Sequence, residues 1–239
     1  MLQFLQELSS WRALGEKFMR KTEFANGEYY HIYNRGVDKR EVFSDTKDYE
    51  RFLLSMNLLN DERDGLMLEW RDILRVNPRA KLLDFQELSS RINPRVEFNC
   101  YCLNPNHYHF ILKQLRDDGV KTFMHKLSTS YTNYFNVKND RSGSLFQGPF
   151  KAVHIDSNEY LLYLSAYVNK NNFIHGYNKN DRWPYSSLPD YLGERKNKLI
   201  NKNPILKQFN NIEQYKEFLK NNSLYMRKKK ELEKYLIEG

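Results

Sequence analysis

Two histidines one residue apart, His107 and His109, lie inside the run Asn-His-Tyr-His-Phe-Ile-Leu at 106–112. In an extended strand, residues i and i+2 project from the same face. Imidazoles placed this way can share one divalent cation, leaving positions for a third ligand and a substrate oxygen. Two solvent-facing histidines on a half-exposed strand would show the same spacing. The apolar Phe110, Ile111 and Leu112 that follow put this pair at the start of a buried strand instead. A second group lies in EYLLYLSAYVNKNN, residues 159–172. Tyr163, Tyr167 and Asn171 recur every four residues and so share one helical face, with Tyr160 beside them. A phenol close to a divalent cation and basic groups loses its proton more readily and can act as a nucleophile. Tyrosines at this spacing also serve as core or groove-lining residues; the histidine pair is what favours the chemical reading.

Cys100 and Cys102 are the two cysteines of the chain. Neighbours at i, i+2 are poorly placed for a disulfide. Together with His107 and His109 they could instead form a structural zinc site. The parity of the hairpin tests this, because directly opposed residues share a face. With Asn104-Pro105-Asn106 as a three-residue loop, Cys102 opposes Tyr108 and Tyr101 opposes His109. The cysteines then lie on the face away from the histidines, which is the arrangement expected here. A two- or four-residue loop would reverse it.

Stepping outward, each group needs an element to hold it. Glu28–Asn34 is aromatic and β-branched and predicts a strand ended by Arg35-Gly36. Asp45–Leu59 predicts a helix capped by Asp45 or Thr46, with Tyr49, Phe52, Leu53, Met56 and Leu59 in one stripe. Val96–Leu103 and His107–Gln114 form the hairpin, Asp118–Lys138 a helix, and Ser144–Ile155 a further strand region. Ser157 caps a helix running to about Asn171. Residues 61–95, charged and broken by Pro78 and Pro94, read as an insertion with a helical stretch near 64–76. Residues 1–23 read as an N-terminal extension containing an amphipathic helix, 24–195 as the main domain, and 196–239 as a basic helical C-terminal region. Strands and helices in this order predict an α+β fold: a ferredoxin-like antiparallel sheet with helices on one face, plus helical extensions at both ends.

Composition narrows the function classes. The 239 residues carry 38 Lys plus Arg against 30 Asp plus Glu, a net charge of +8 and a pI near 9.2. A hydrophobic share of 40% supplies a core and excludes intrinsic disorder. Mean hydropathy is −0.79, and no apolar run is long enough for a membrane span. The N-terminus lacks a signal-peptide layout, and with so few cysteines a cytoplasmic location is expected. The positive balance, interleaved with 17 Tyr and 15 Phe, points to nucleic acid as partner.

YCLNPNHYHFIL (101–112) resembles the His-hydrophobic-His signature of the HUH single-tyrosine transposases, and most of all the REP-associated tyrosine transposases. Four further blocks resemble the same family in the same order: YYHIYNRGVDKREVF (29–43), DYERFL (48–53), SLFQGPFKAVHIDSNEYLLYLSAYVNKNNFIHG (144–176) and WPYSSLPDYLG (183–193). The likeness spans about 24–220 apart from 61–95. It departs from the family pattern at Asn104, where the family has Met in a turn and a change should be harmless. Asn172 stands where the family has Pro, and Tyr108 where it has an aliphatic.

The resemblance implies an HUH endonuclease fold and a DNA strand transferase that cleaves and rejoins single-stranded DNA beside palindromic hairpins. It casts His107, His109 and Asn171 as the metal site for Mg2+ or Mn2+. It casts Tyr167 as the nucleophile that forms a 5′-phosphotyrosine. Arg35, Lys39 and Arg40 are candidate DNA-phosphate contacts, whereas the RKKK run at 227–230 reads as a solvated face. Such a protein would act as a monomer or homodimer on single-stranded or hairpin DNA. The alternative is a hairpin-DNA-binding host regulator without cleavage activity.

Overall fold

A computed structural model describes residues 22–80, 93–177, 183–195 and 199–237, with side chains as far as 231. The expected N-terminal helix lies outside the described residues, as does the middle of the 61–95 segment.

Four strands form one sheet: β1 (Tyr29–Arg35), β2 (Val96–Asn104), β3 (His107–Gln114) and β4 (Lys151–Ile155), in the order β2-β3-β1-β4. Every neighbouring pair is antiparallel. The expected α+β class and antiparallel sheet are therefore present. Of the strand region expected at Ser144–Ile155, the last five residues form β4, and Phe146 makes an isolated bridge to Gly36.

The β2–β3 hairpin differs from expectation in one consequential way. Its outer end keeps the anticipated register, with Phe98 opposite Leu112. A bulge between Phe98 and Cys100 then shifts the pairing by one, so Cys100 opposes Ile111 and Cys102 opposes His109. The turn closes with Pro105-Asn106 alone, because Asn104 pairs with His107. An extra residue on one strand changes which face every later side chain points to. Phe98 consequently joins one core while Cys100 and Cys102 join the other. The expectation that the cysteines lie away from the histidines is thus overturned: Cys102 and His109 share a face.

Helices cover both faces of the sheet, not one. On the first face lie α1 (Thr46–Leu58), α2 (Leu66–Val76) beyond it, and α3 (Gly119–Lys138). Asp45 caps α1 by accepting from the Asp48 amide at 3.1 Å. Phe52 and Met56 of α1 and Phe123, Leu127 and Tyr131 of α3 pack onto Ile32, Phe98, Tyr108 and Phe110. The α2 helix falls where the sequence predicts one, and packs Leu66 and Trp70 beside Leu58 of α1. Its segment is stitched at the neck, where the Arg95 amide donates to the Asn60 carbonyl at 2.9 Å.

On the second face lie α4 (Asn158–Asn169), then the single turns α5 (Asn171–Ile174), α6 (Leu188–Tyr191) and α7 (Asn203–Leu206), and the long α8 (Ile212–Ile237). Ser157 caps α4 through the Tyr160 amide at 3.2 Å. Leu161, Leu164 and Val168 of α4 pack with Tyr215 and Leu219 of α8 over Cys100, Cys102, Ile111 and Ile155. A layer is required here because a four-stranded sheet with apolar residues on both faces must bury both. The C-terminal region is therefore part of the core rather than an appendage. Among the described residues, no helix is long and apolar enough to cross a membrane.

Candidate active site

The second face carries the candidate site residues. His107 and His109 alternate along β3, and β1 lies alongside with Tyr33 directly opposite His109 and Arg35 opposite His107. His107 and His109 are each 7% exposed, with rings 5.2 Å apart and nearly perpendicular. Tyr167, near the C-terminal end of α4, presents its ring edge-on to His109 at 5.4 Å. The structure thus brings Tyr167 to the histidine pair within one chain.

Asn171 also arrives there, though not along one continuous helix. The helix breaks at Lys170 (φ −109°, ψ 13°), and Asn171 begins the separate turn α5. The break occurs without the proline that the family carries at 172. Asn171 Oδ1 lies 3.0 Å from His107 Nε2. Asn104, expected to be an inconsequential turn residue, is instead fully buried at the end of β2. Its Nδ2 donates to Asn171 Oδ1 at 2.6 Å and to His107 Nε2 at 3.0 Å.

The proton on His107 can be located. Asn106 Nδ2 donates to the Lys39 carbonyl at 3.2 Å, which turns Asn106 Oδ1 toward His107 Nδ1 at 2.6 Å. An amide oxygen only accepts, so Nδ1 carries the proton and Nε2 is a bare lone pair. Nε2 and Asn171 Oδ1 are then two acceptors that converge on one point, now filled by the Asn104 amide. Such a pair suits a divalent cation: imidazole nitrogen plus amide oxygen, with His109 beside them. Burial favours the neutral ring, holding His107 down at about 4 although the Asn171 carbonyl oxygen beside it favours a protonated ring, and His109 well below its ordinary value. Neutral imidazoles are the ligating form.

One residue of the cluster is absent from the sequence reading. His31, on β1, is 7% exposed and its Nε2 lies 2.9 Å from His109 Nδ1. Its ring stacks on Tyr33 at 5.0 Å and meets Tyr167 edge-on at 6.2 Å. Its sequence signal was available: His31 and Tyr33 alternate within a strand as the β3 histidines do.

The cysteines share this face but are otherwise engaged. Cys100 Sγ lies 3.2 Å from the Tyr191 hydroxyl, and Cys102 Sγ 3.8 Å from Asn104 Oδ1. Burial pushes both thiols up to about 12, which favours their protonated form. Among the described residues, no three His, Cys, Asp or Glu side chains gather as a metal site.

The candidate phosphate contacts border the site. Arg35 is exposed at the end of β1, and its charge helps hold His107 neutral. Lys39 and Arg40 are exposed in the following loop, where Asp38 and Lys39 both adopt left-handed backbone (φ 54° and 60°). A Cβ at Gly36 would run into the Arg40 carbonyl and approach Val42 Cγ1 to 2.9 Å, so only glycine fits there. Arg40 already engages the Val37 carbonyl at 3.1 Å and Asp38 at 3.8 Å. The 227–230 run is not simply solvated. Arg227 lies over the Phe173 ring at 4.8 Å, and Lys230 Nζ reaches His175 Nδ1, whose ring is 5.1 Å from His107.

No protein-family model matches the sequence, and no curated protein is significantly similar to it. Among solved structures, the chain is similar to a REP-associated tyrosine transposase bound to a REP hairpin. The TM-score is 0.50 at 14% identity, covering 77% of this chain and 94% of the other. At that identity the likeness is one of fold: an antiparallel sheet with helices shared with a transposase.

Proposed function

We propose that this chain is a single-strand DNA endonuclease and strand transferase that acts beside hairpins with Tyr167 as nucleophile. The observation that carries the reading is the convergence of Tyr167 on a neutral histidine pair, with Asn171 Oδ1 3.0 Å from His107 Nε2. The similar transposase was solved with a REP hairpin bound, which makes hairpin DNA the substrate class to test.

In this reading Tyr167 Oη attacks the scissile phosphorus and its proton leaves. The bond to the 3′ oxygen breaks, and that oxygen takes up a proton to become a free 3′ hydroxyl. The 5′ phosphate stays on Tyr167 as a phosphodiester, so a 3′ hydroxyl can reverse the step without an external energy source. His107 Nε2, His109 and Asn171 Oδ1 would hold Mg2+ or Mn2+, which neutralises charge on the scissile phosphate. Burial keeps both imidazoles unprotonated for that task, and the edge contact with His109 orients the Tyr167 ring. Arg35 supplies a cation where the DNA backbone would approach.

The test is an SDS-resistant protein–DNA adduct on labelled single-stranded DNA with a hairpin, in the presence of Mn2+. Tyr167→Phe should lose the adduct, whereas Tyr163→Phe should keep most of it. An adduct that survives in Tyr167→Phe and vanishes in Tyr163→Phe moves the role to Tyr163. No wild-type adduct across several hairpins, with binding retained, would make the protein a hairpin-binding regulator instead.

A further inference from the structure

We infer that His31 is a positioning residue: it accepts a hydrogen bond from His109 Nδ1 and so leaves Nε2 as the bare nitrogen of the His109 ring. His31 Nε2 and His109 Nδ1 are 2.9 Å apart, and the two ring planes are inclined by only 17°. Two neutral imidazoles at that distance share one proton, which must sit on one of the facing nitrogens. If His31 donated, His109 would carry its proton on Nε2 and have no lone pair free to ligate. If His109 donates, its Nε2 is bare.

The neighbouring ring favours the second arrangement. Asn106 fixes His107 with its proton on Nδ1 and a bare Nε2, by hydrogen bonds of 3.2 Å to Lys39 and 2.6 Å to His107. His31 does for His109 what Asn106 does for His107: each occupies Nδ1 and frees Nε2. A ligating histidine generally donates its other ring N–H to an outer acceptor, which fixes both tautomer and ring angle. His31 itself packs against Tyr33, stacked at 5.0 Å, and Tyr167, edge-on at 6.2 Å. The inference deepens the metal reading above and rests on it for its purpose, though the tautomer can be observed without metal.

The experiment records imidazole 15N shifts of the full, metal-free chain at neutral pH for wild type, His31→Leu and His31→Gln. It then titrates each with Mn2+ by calorimetry. Wild-type His109 should be protonated on Nδ1 with a bare Nε2. His31→Leu should move the proton to Nε2 and weaken Mn2+ about 10–100-fold. His31→Gln keeps an acceptor and should restore both to within about threefold. A role confined to packing would not distinguish leucine from glutamine in this way. If His31→Leu retains the wild-type tautomer and affinity, the inference is wrong. Loss of one of two bound Mn2+ equivalents would make His31 a ligand, which also overturns it. Correct tautomers in a wild type that binds no Mn2+ would sink the metal reading and leave the His31–His109 assignment standing. Should His31→Leu fail to fold, the wild-type tautomer and His31→Gln decide.

Discussion

Replacing Asn104 by valine should make the protein less stable and, at the same time, a tighter binder of Mn2+. Asn104 is fully buried and donates to both Asn171 Oδ1 at 2.6 Å and His107 Nε2 at 3.0 Å. Valine has similar bulk, suits the end of a strand and leaves no room for a water to take over the amide's role. The two acceptors, 3.0 Å apart, would then face each other with no donor between them. A buried acceptor stripped of its partner costs about 1 kcal/mol at the low end, so the pair costs about 2 kcal/mol. For a chain of this size that lowers the melting temperature by roughly 4–8 °C. In the wild type a cation must displace the Asn104 amide; in the variant it need not. The same 2 kcal/mol then returns as affinity, roughly thirtyfold. Thermal melts in chelator and in Mn2+, together with calorimetric titration, read both quantities. A variant that melts like the wild type in chelator, or that binds Mn2+ more weakly, refutes the convergence of two acceptors on one point.

His107→Ala and His109→Ala should each abolish the covalent adduct while hairpin affinity stays within about tenfold, since phosphate contacts dominate binding; gel shifts run beside the adduct assay check this. Arg35→Ala should weaken DNA binding across sequences and lower the slope of log affinity against log salt by about 1, measured by fluorescence anisotropy. Stability should fall as pH drops from about 6.5 toward 4. His31 and His107 sit at about 4 in the fold because burial disfavours their charged form, against 6.5 when exposed. The unfolded chain therefore takes up protons that the fold refuses, at up to roughly 1.4 kcal/mol per pH unit for each ring. Urea midpoints at pH 7.5, 6 and 5 measure the slope, and a flat series would contradict it.

Much of this arrangement is legible in the sequence, and the failures have identifiable causes. The Asp45 and Ser157 caps, the apolar stripe of α1 and the alternation around His107 and His109 all act locally, so local reasoning finds them. The β2 bulge is different. One extra residue leaves no trace in a period-two pattern, yet it moves Cys100 and Cys102 to the histidine face. Asn104 looked like turn chemistry because the turn is one residue shorter than the loop assigned to it. His31 was hidden in an aromatic strand whose partner strand, 78 residues away at His109, only the fold supplies. The C-terminal helix was judged by its charges, although Tyr215, Leu219, Ser223 and Met226 already form a buried stripe at helical spacing.

That stripe bears on the order in which the protein is made. The helix carrying Tyr167 is sandwiched between the sheet and α8, and its outer face is closed by Tyr215 and Leu219. Synthesis runs at about 5–20 residues per second, so roughly fifty residues separate Tyr167 from that cover, or several seconds on the ribosome. During that interval the strands and their histidines are already made, while the helix of Tyr167 still lacks its packing partner. On the proposed function, the site would stay incomplete until α8 docks. Ribosome-bound chains stopped before Tyr215 should accordingly be clipped by protease within 158–169 while the β1–β3 segment resists.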